Sequence, residues 1–252
     1  MTLELCEPAG ATPLTPDALL GLRAKHIATH GEMNEREGEN IIAGLTWRDR
    51  RPKSFDLLTD AAAREIHRRL FGEVWGWAGI YRLTKKNIEV SVWHISTELR
   101  TCLDDARYWR DHKSFDPLEA TARLHHRLVW IHPFANGNGR WARIMADAYL
   151  ARIDRNIFLD WSGGGTLNAD CAHRAAYIAA VKAADQHDFD PLVTLIKSFA
   201  RQSICFARDD DTTFSARWPT VRQRDPRPTT EVEPRACRQI TVPGTIQHQR
   251  KE

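Results

Sequence analysis

The feature that most constrains this chain is a forced break between two helices at residues 132–143, which read His132-Pro133-Phe134-Ala135-Asn136-Gly137-Asn138-Gly139-Arg140-Trp141-Ala142-Arg143. Upstream, Leu124, Leu128, Val129 and Ile131 form an apolar helical stretch. Pro133 must stop it, because proline has no N–H and drives the residue before it out of the α conformation. His132 is thereby set at a helix end. Downstream, Ile144, Met145, Ala148 and Tyr149 resume helical spacing, so Gly137-Asn138-Gly139 lies just before a helix N-terminus. Backbone amides and the positive end of the helix dipole gather at such a place.

A polyphosphate needs several donors converging on its oxygens, and glycines let the backbone approach closely. Gly137, Asn138 and Gly139 can supply such a nest, Arg140 a planar guanidinium fork, and Arg143 a second cation one turn later on the same face. His132 titrates near neutral pH and is the natural general base for an incoming hydroxyl. Taken singly, Gly-Asn-Gly is an ordinary turn, a histidine at a helix end is a capping residue and two arginines are a solvated face. Their order within one short window is what points to phosphate chemistry.

The run His132-Pro133-Phe134-x-x-Gly137-Asn138-Gly139-Arg140-x-x-Arg143 resembles the signature of the Fic (Fido) family, His-x-Phe-x-Asp/Glu-Gly-Asn-Gly-Arg-x-x-Arg. Upstream, Ile66-His67, Leu70-Phe71, Val74, Trp77-Ala78-Gly79 and Tyr81-Arg82 resemble the helix and Trp-Ala-Gly-x-x-Arg stretch before the family's hairpin flap. Within the family, Arg-Leu-Val-Trp-Ile-His-Pro-Phe with Asn136 is similar to the bacterial mobile mystery protein B group. The resemblance implies a mainly α Fic/Fido helical bundle with a small β-hairpin flap beside the active-site loop. It also implies a protein adenylyltransferase that moves AMP from ATP to a target-protein hydroxyl, with Mg²⁺ on the phosphates. Carried over by position, His132 would be the base and Phe134 the loop's anchor in the core. Gly137, Asn138, Gly139 and Arg140 would hold the phosphates, and Arg143 would support them or pair internally. Asn136 stands where the family carries a metal-binding Asp or Glu. Its amide oxygen can still ligate Mg²⁺ but brings no charge. The transferred group therefore stays open among AMP, UMP, phosphate and phosphocholine, and the alternative is a nucleotide-binding regulator with little turnover. A third reading, a hydrolase metal site of His125, His126 and His132, lacks the i, i+4 ligand spacing and an acidic partner.

The 252 residues suit one sizeable domain with an appendage, expected as an N-terminal helical extension over 1–50, a core over 51–205 and a disordered tail over 206–252. A net charge of +3 is too small to argue for direct nucleic-acid binding. No apolar run is long enough for a membrane, and Met1-Thr2-Leu3-Glu4 lacks a signal-peptide pattern, so a cytoplasmic location is expected. Cys6, Cys102, Cys171, Cys205 and Cys237 are odd in number and widely spaced, which fits reduced thiols.

Helices are expected to start at Asp60, at Ser96 or Thr97, at Asp116-Pro117 and at Asp190-Pro191. Between Ile80 and Ile95 the pattern alternates around Thr84-Lys85-Lys86-Asn87, as in a hairpin. By resemblance it is the flap on which a target protein docks by strand addition. The charged segment from Thr29 to Asn40 reads as a helix. Some Fic proteins carry an inhibitory helix with a Ser/Thr-x-x-x-Glu-Gly/Asn motif. Glu37-Gly38 and Glu39-Asn40 match its ending but lack the Ser or Thr, and such a lock would pair a glutamate with Arg143. Relatives in bacteria imply, finally, a toxin-like activity restrained by a helix-turn-helix partner.

Overall fold

The computed structural model describes residues 19–23, 30–52, 54–85, 90–161 and 172–202, all within the first of the two units into which the chain divides, Met1–Ser215. The expected 206–252 tail, residues 86–89 of the expected hairpin, and Cys6, Cys171, Cys205 and Cys237 lie outside these residues. The helices are α1 (His30–Asp49), α2 (Asp60–Phe71), α3 (Ile95–His112), α4 (Pro117–Ile131), α5 (Asn138–Ile153), α6 (Ala172–Asp185) and α7 (Asp190–Phe199). A two-stranded antiparallel sheet pairs β1 (Ile157–Leu159) with β2 (Ala200–Gln202), Phe158 facing Arg201. The fold is mainly α, as the resemblance implied.

Local chemistry sets the helix ends. Thr59 caps α2 by accepting from the Ala62 amide at 3.1 Å, so the cap is the residue before Asp60. Asp116 caps α4 by accepting from Leu118, with Pro117 at the first position, as its sequence predicts. Ser96 and Thr97 are not caps: α3 begins at Ile95, straight out of a 3₁₀ turn at Val92–His94, so both fall inside its first turn. Pro191 occupies the first turn of α7, whose cap position is Phe189.

The α4–α5 pair is central because each helix is buried on two sides. Leu124, Leu128 and Ile131 of α4 and Trp141, Met145 and Tyr149 of α5 pack into one core with α2 and α3. Ala122, Ala146 and Leu150 face a second core, closed by α7, Ala180 and Ala184 of α6, and Leu159 of β1. Close packing on both flanks fixes the helix-to-helix connection that bears the motif. Among the described residues, no helix is long and apolar enough to cross a membrane.

Candidate active site

His132 ends α4 in the left-handed conformation, φ 50° and ψ 60°, with its amide still bonded to the Leu128 carbonyl at 3.2 Å. A β-carbon makes that conformation costly, so neighbours must hold it. The Arg82 guanidinium donates to the His132 carbonyl at 2.7 Å, and the Arg82 amide donates to Pro133 O at 2.9 Å. Arg82 is only 3% exposed and satisfies its charge with carbonyls, the others being Thr84 O at 3.0 Å and Val90 O at 2.7 Å. Burial lowers its pKa. One guanidinium thus ties Thr84 and Val90 to the carbonyl of His132. Just before Arg82, Tyr81 makes an antiparallel bridge to Phe134 of the motif loop.

The His132 ring is half-buried, and its Nδ1 lies 3.3 Å from the Val129 carbonyl. A carbonyl can only accept, so the proton sits on Nδ1 and the basic lone pair on Nε2. Phe134 is fully buried, stacked on His67 at 3.7 Å and edge-on to Trp141 at 5.0 Å. Asn138 closes the loop from inside. Its Oδ1 accepts from Phe134 N at 2.9 Å and its Nδ2 donates to Phe134 O at 2.8 Å. With the Asn138 side chain committed to the loop, only its main chain remains for a phosphate.

His67 is a loop-holding residue that helix periodicity did not single out. Gly79 N–H donates to its Nδ1 at 3.0 Å, so its Nε2 carries the proton and donates to the Asn136 carbonyl at 3.1 Å. Full burial, reinforced by the Arg140 charge, pushes its pKa down to about 3 and keeps it neutral. The available signal was a polar residue on the apolar face formed by Ile66, Leu70 and Phe71.

The glycines divide their tasks. Gly137 adopts φ +75°, and a β-carbon there would meet the Phe71 ring at 2.9 Å, so it serves the turn and the packing. A β-carbon at Gly139 would meet nothing within 4 Å. Its lack of a side chain leaves space open over the first turn of α5, where a phosphate would lie against backbone amides.

The two arginines part company. Arg140 donates to the Glu37 carboxylate of α1 at 2.5 Å and lies over the Phe71 ring at 4.8 Å. The other Glu37 oxygen accepts from Trp75 Nε1 at 2.5 Å, and the Trp75 ring stacks on Trp77 at 5.1 Å. Arg143 turns instead toward α6 and bonds the Tyr177 hydroxyl, which meets His125 Nε2 at 2.9 Å. Burial lowers the Arg143 pKa. The expected glutamate lock on Arg143 is therefore corrected: α1 packs beside Phe71 and Trp75, which puts Glu37 within reach of the first arginine, not the second.

Asn136 was the expected metal ligand. Its side-chain oxygen accepts from the Gly137 amide at 2.5 Å, and among the described residues no group of three His, Cys, Asp or Glu could hold a metal. A lone neutral oxygen already accepting within its own turn does not fit a protein-built Mg²⁺ site. His125 and His126 do not join His132 either, since His126 Nε2 meets Asp185 at 2.8 Å on the α6 side.

Residues 57–150, from the loop before α2 to the last turn of α5, match the Fic/DOC family. The chain carries a Fic/DOC domain. Relatives of that domain include the protein adenylyltransferase Fic of Nematostella vectensis, 37% identical over 92 residues, covering 35% of this chain and 22% of the relative. The protein adenylyltransferase fic-1 of Caenorhabditis elegans is 30% identical over 148 residues, covering 56% and 27%. The chain thus spans about a quarter of the length of these curated relatives. Among solved structures, C. elegans Fic-1 (residues 134–508) superposes with a TM-score of 0.57 at 25% identity, covering 73% of this chain and 53% of that one. BepC of Bartonella tribocorum, solved with bound AMPPNP, shares the fold with a TM-score of 0.56 at 19% identity, covering 71% and 91%.

Proposed function

We propose that the Fic domain is a protein adenylyltransferase, moving AMP from ATP to a hydroxyl of a target protein. The observation that carries this reading is the tautomer of His132, whose Nδ1 bond to Val129 O leaves Nε2 as the basic nitrogen of a ring set at the start of the motif loop. In the reaction the target oxygen bonds to the α-phosphorus as the bond to pyrophosphate breaks, and Nε2 takes the hydroxyl proton. The first turn of α5 at Gly139, with Arg140, would hold the phosphates, while Arg143 supports that turn through Tyr177. Asn136, Gly137 and Asn138 shape the loop. Any Mg²⁺ the reaction uses would come bound to the triphosphate. The names of the relatives favour transfer over nucleotide binding alone.

The target would dock on the 80–92 segment, whose Ile80 and Leu83 side chains are exposed. Division into a 1–50 extension, a 51–205 core and a 206–252 tail, a cytoplasmic setting, membership of the mobile mystery protein B group and a helix-turn-helix companion belong to the same proposal. The test is incubation with α-labelled ATP, Mg²⁺ and a lysate, read by intact mass. A protein gaining one AMP with the parent but not with His132→Ala supports the reading. Absence of transfer under every metal and target tried would overturn it.

A further inference from the structure

Arg82 is a buried cation that pairs with no carboxylate among the described residues. Each of its three guanidinium nitrogens donates to a different carbonyl: Nε to His132 at 2.7 Å, Nη1 to Thr84 at 3.0 Å and Nη2 to Val90 at 2.7 Å. Burial pushes its pKa down. Taking such a charge out of water is costly, and a neutral side chain could tie a turn at lower cost. Part of its presence has an ordinary cause. α4 has no basic residue in its last turn, so Arg82 supplies from outside the cation that a helix C-terminus favours.

Capping does not explain where the bond falls. Nε grips the carbonyl of His132 itself, the residue held at φ 50°. On the next two residues, the Arg82 amide donates to Pro133 O at 2.9 Å and Tyr81 bridges Phe134. Three consecutive motif residues are thus fixed along their main chain by Tyr81 and Arg82. The imidazole hangs from the first of the three. Its Nδ1 contact with Val129 O is long at 3.3 Å, so a small rotation of the His132 backbone would lose it. A lysine at position 82 would bring charge, but its single nitrogen cannot span carbonyls from three parts of the chain as the planar fork does.

We infer that Arg82 is a positioning residue for the base: through the His132 carbonyl it holds the ring on Val129 O, and so keeps the proton on Nδ1 and the lone pair on Nε2. It acts through His132 and not on the nucleotide. The consequence for catalysis rests on the transferase reading, whereas the tautomer does not.

Histidine-selective ¹⁵N labelling with long-range ¹H–¹⁵N correlation, at about pH 8 where ordinary imidazoles are neutral, reads the tautomer of each ring, and His132→Ala assigns the signal. The parent should show His132 protonated on Nδ1. Arg82→Gln should shift it toward the Nε2-protonated form and Arg82→Lys by less. Arg64→Gln, which removes a neighbouring tie that ends on Gly79 O at 3.0 Å, should not shift it. At saturating ATP, labelling of lysate protein from α-labelled ATP should slow about tenfold or more in Arg82→Lys, since a misplacement of about 1 Å can cost about a hundredfold in rate. The Kd for a non-hydrolysable ATP analogue should stay within about twofold of the parent. Thermal melts check folding, and Arg82→Lys carries both readings if Arg82→Gln does not fold. The proposal is overturned by a parent His132 protonated on Nε2, by an unchanged tautomer in the folded Arg82 variants, by a parallel loss of analogue binding, or by the same shift in Arg64→Gln. A parent that labels nothing removes the transferase reading alone, and the tautomer still decides the role of Arg82.

Discussion

Replacing Glu37 by glutamine should raise the affinity of the Fic domain for ATP. In the structure Glu37 holds the guanidinium that a triphosphate would need, with Nη1 to Oε2 at 2.5 Å. The carboxylate side chain is 8% exposed and the arginine 30%, so this pair lies in a setting where solvent screens only part of the attraction. A hydrogen bond between charged groups contributes about 1.5–3 kcal/mol net, and that is the amount an incoming phosphate must displace. Glu37→Gln keeps an acceptor for Trp75 Nε1 while removing the charge, so Arg140 is released without opening the α1–α2 contact. The corresponding gain in affinity is roughly ten- to 150-fold. Calorimetric titration with a non-hydrolysable ATP analogue reads it directly. Arg140→Gln supplies the cycle: with Arg140 absent, adding Glu37→Gln should give no further gain. An affinity of Glu37→Gln within about twofold of the parent, or an equal gain in the Arg140→Gln background, would refute the competition.

Gly139→Ala should leave the melting temperature unchanged or slightly raised, because the added β-carbon meets nothing and alanine favours helix by up to ~1 kcal/mol. The same change should weaken ATP binding, and unaltered binding would remove Gly139 from the phosphate cradle. His67→Ala strands the Gly79 amide and the Asn136 carbonyl and opens a void beside Phe134. It should cost about 3–5 kcal/mol in denaturant unfolding, and a loss under 1 kcal/mol would refute its role as a tie. His67 and His125 both have folded pKa values pushed by burial to about 3, below the ordinary 6.5. The unfolded chain therefore takes up protons that the folded chain refuses as pH falls below 6.5. Stability should be full at neutral pH and fall on acidification from about 6.5 toward 3, by roughly 3 kcal/mol per unit at the steepest for two groups. Denaturation midpoints that do not move between pH 7 and 5 would contradict the burial of these neutral imidazoles.

The helix break at His132 was legible because proline, glycine and hydrophobic spacing act within a few residues of one another. The same locality made Asp116-Pro117 readable as a helix start. What joins distant parts of the chain was not. The Glu37–Arg140 pair spans 103 positions and the His67–Asn136 bond 69, and no periodicity marks which polar groups will meet across such distances. The resemblance supplied a glutamate for an arginine but chose Arg143, since which turn of α5 faces α1 is a matter of helix packing. The β1–β2 pair escaped for the same reason: Ile157–Leu159 and Ala200–Gln202 are three-residue strands with two helices between them.

Arg82 carries an evolutionary consequence. One guanidinium grips the His132 carbonyl together with Thr84 O and Val90 O. Under the proposed function, the exposed Ile80 and Leu83 can diversify to suit different polypeptides while Arg82 keeps the His132 backbone in place.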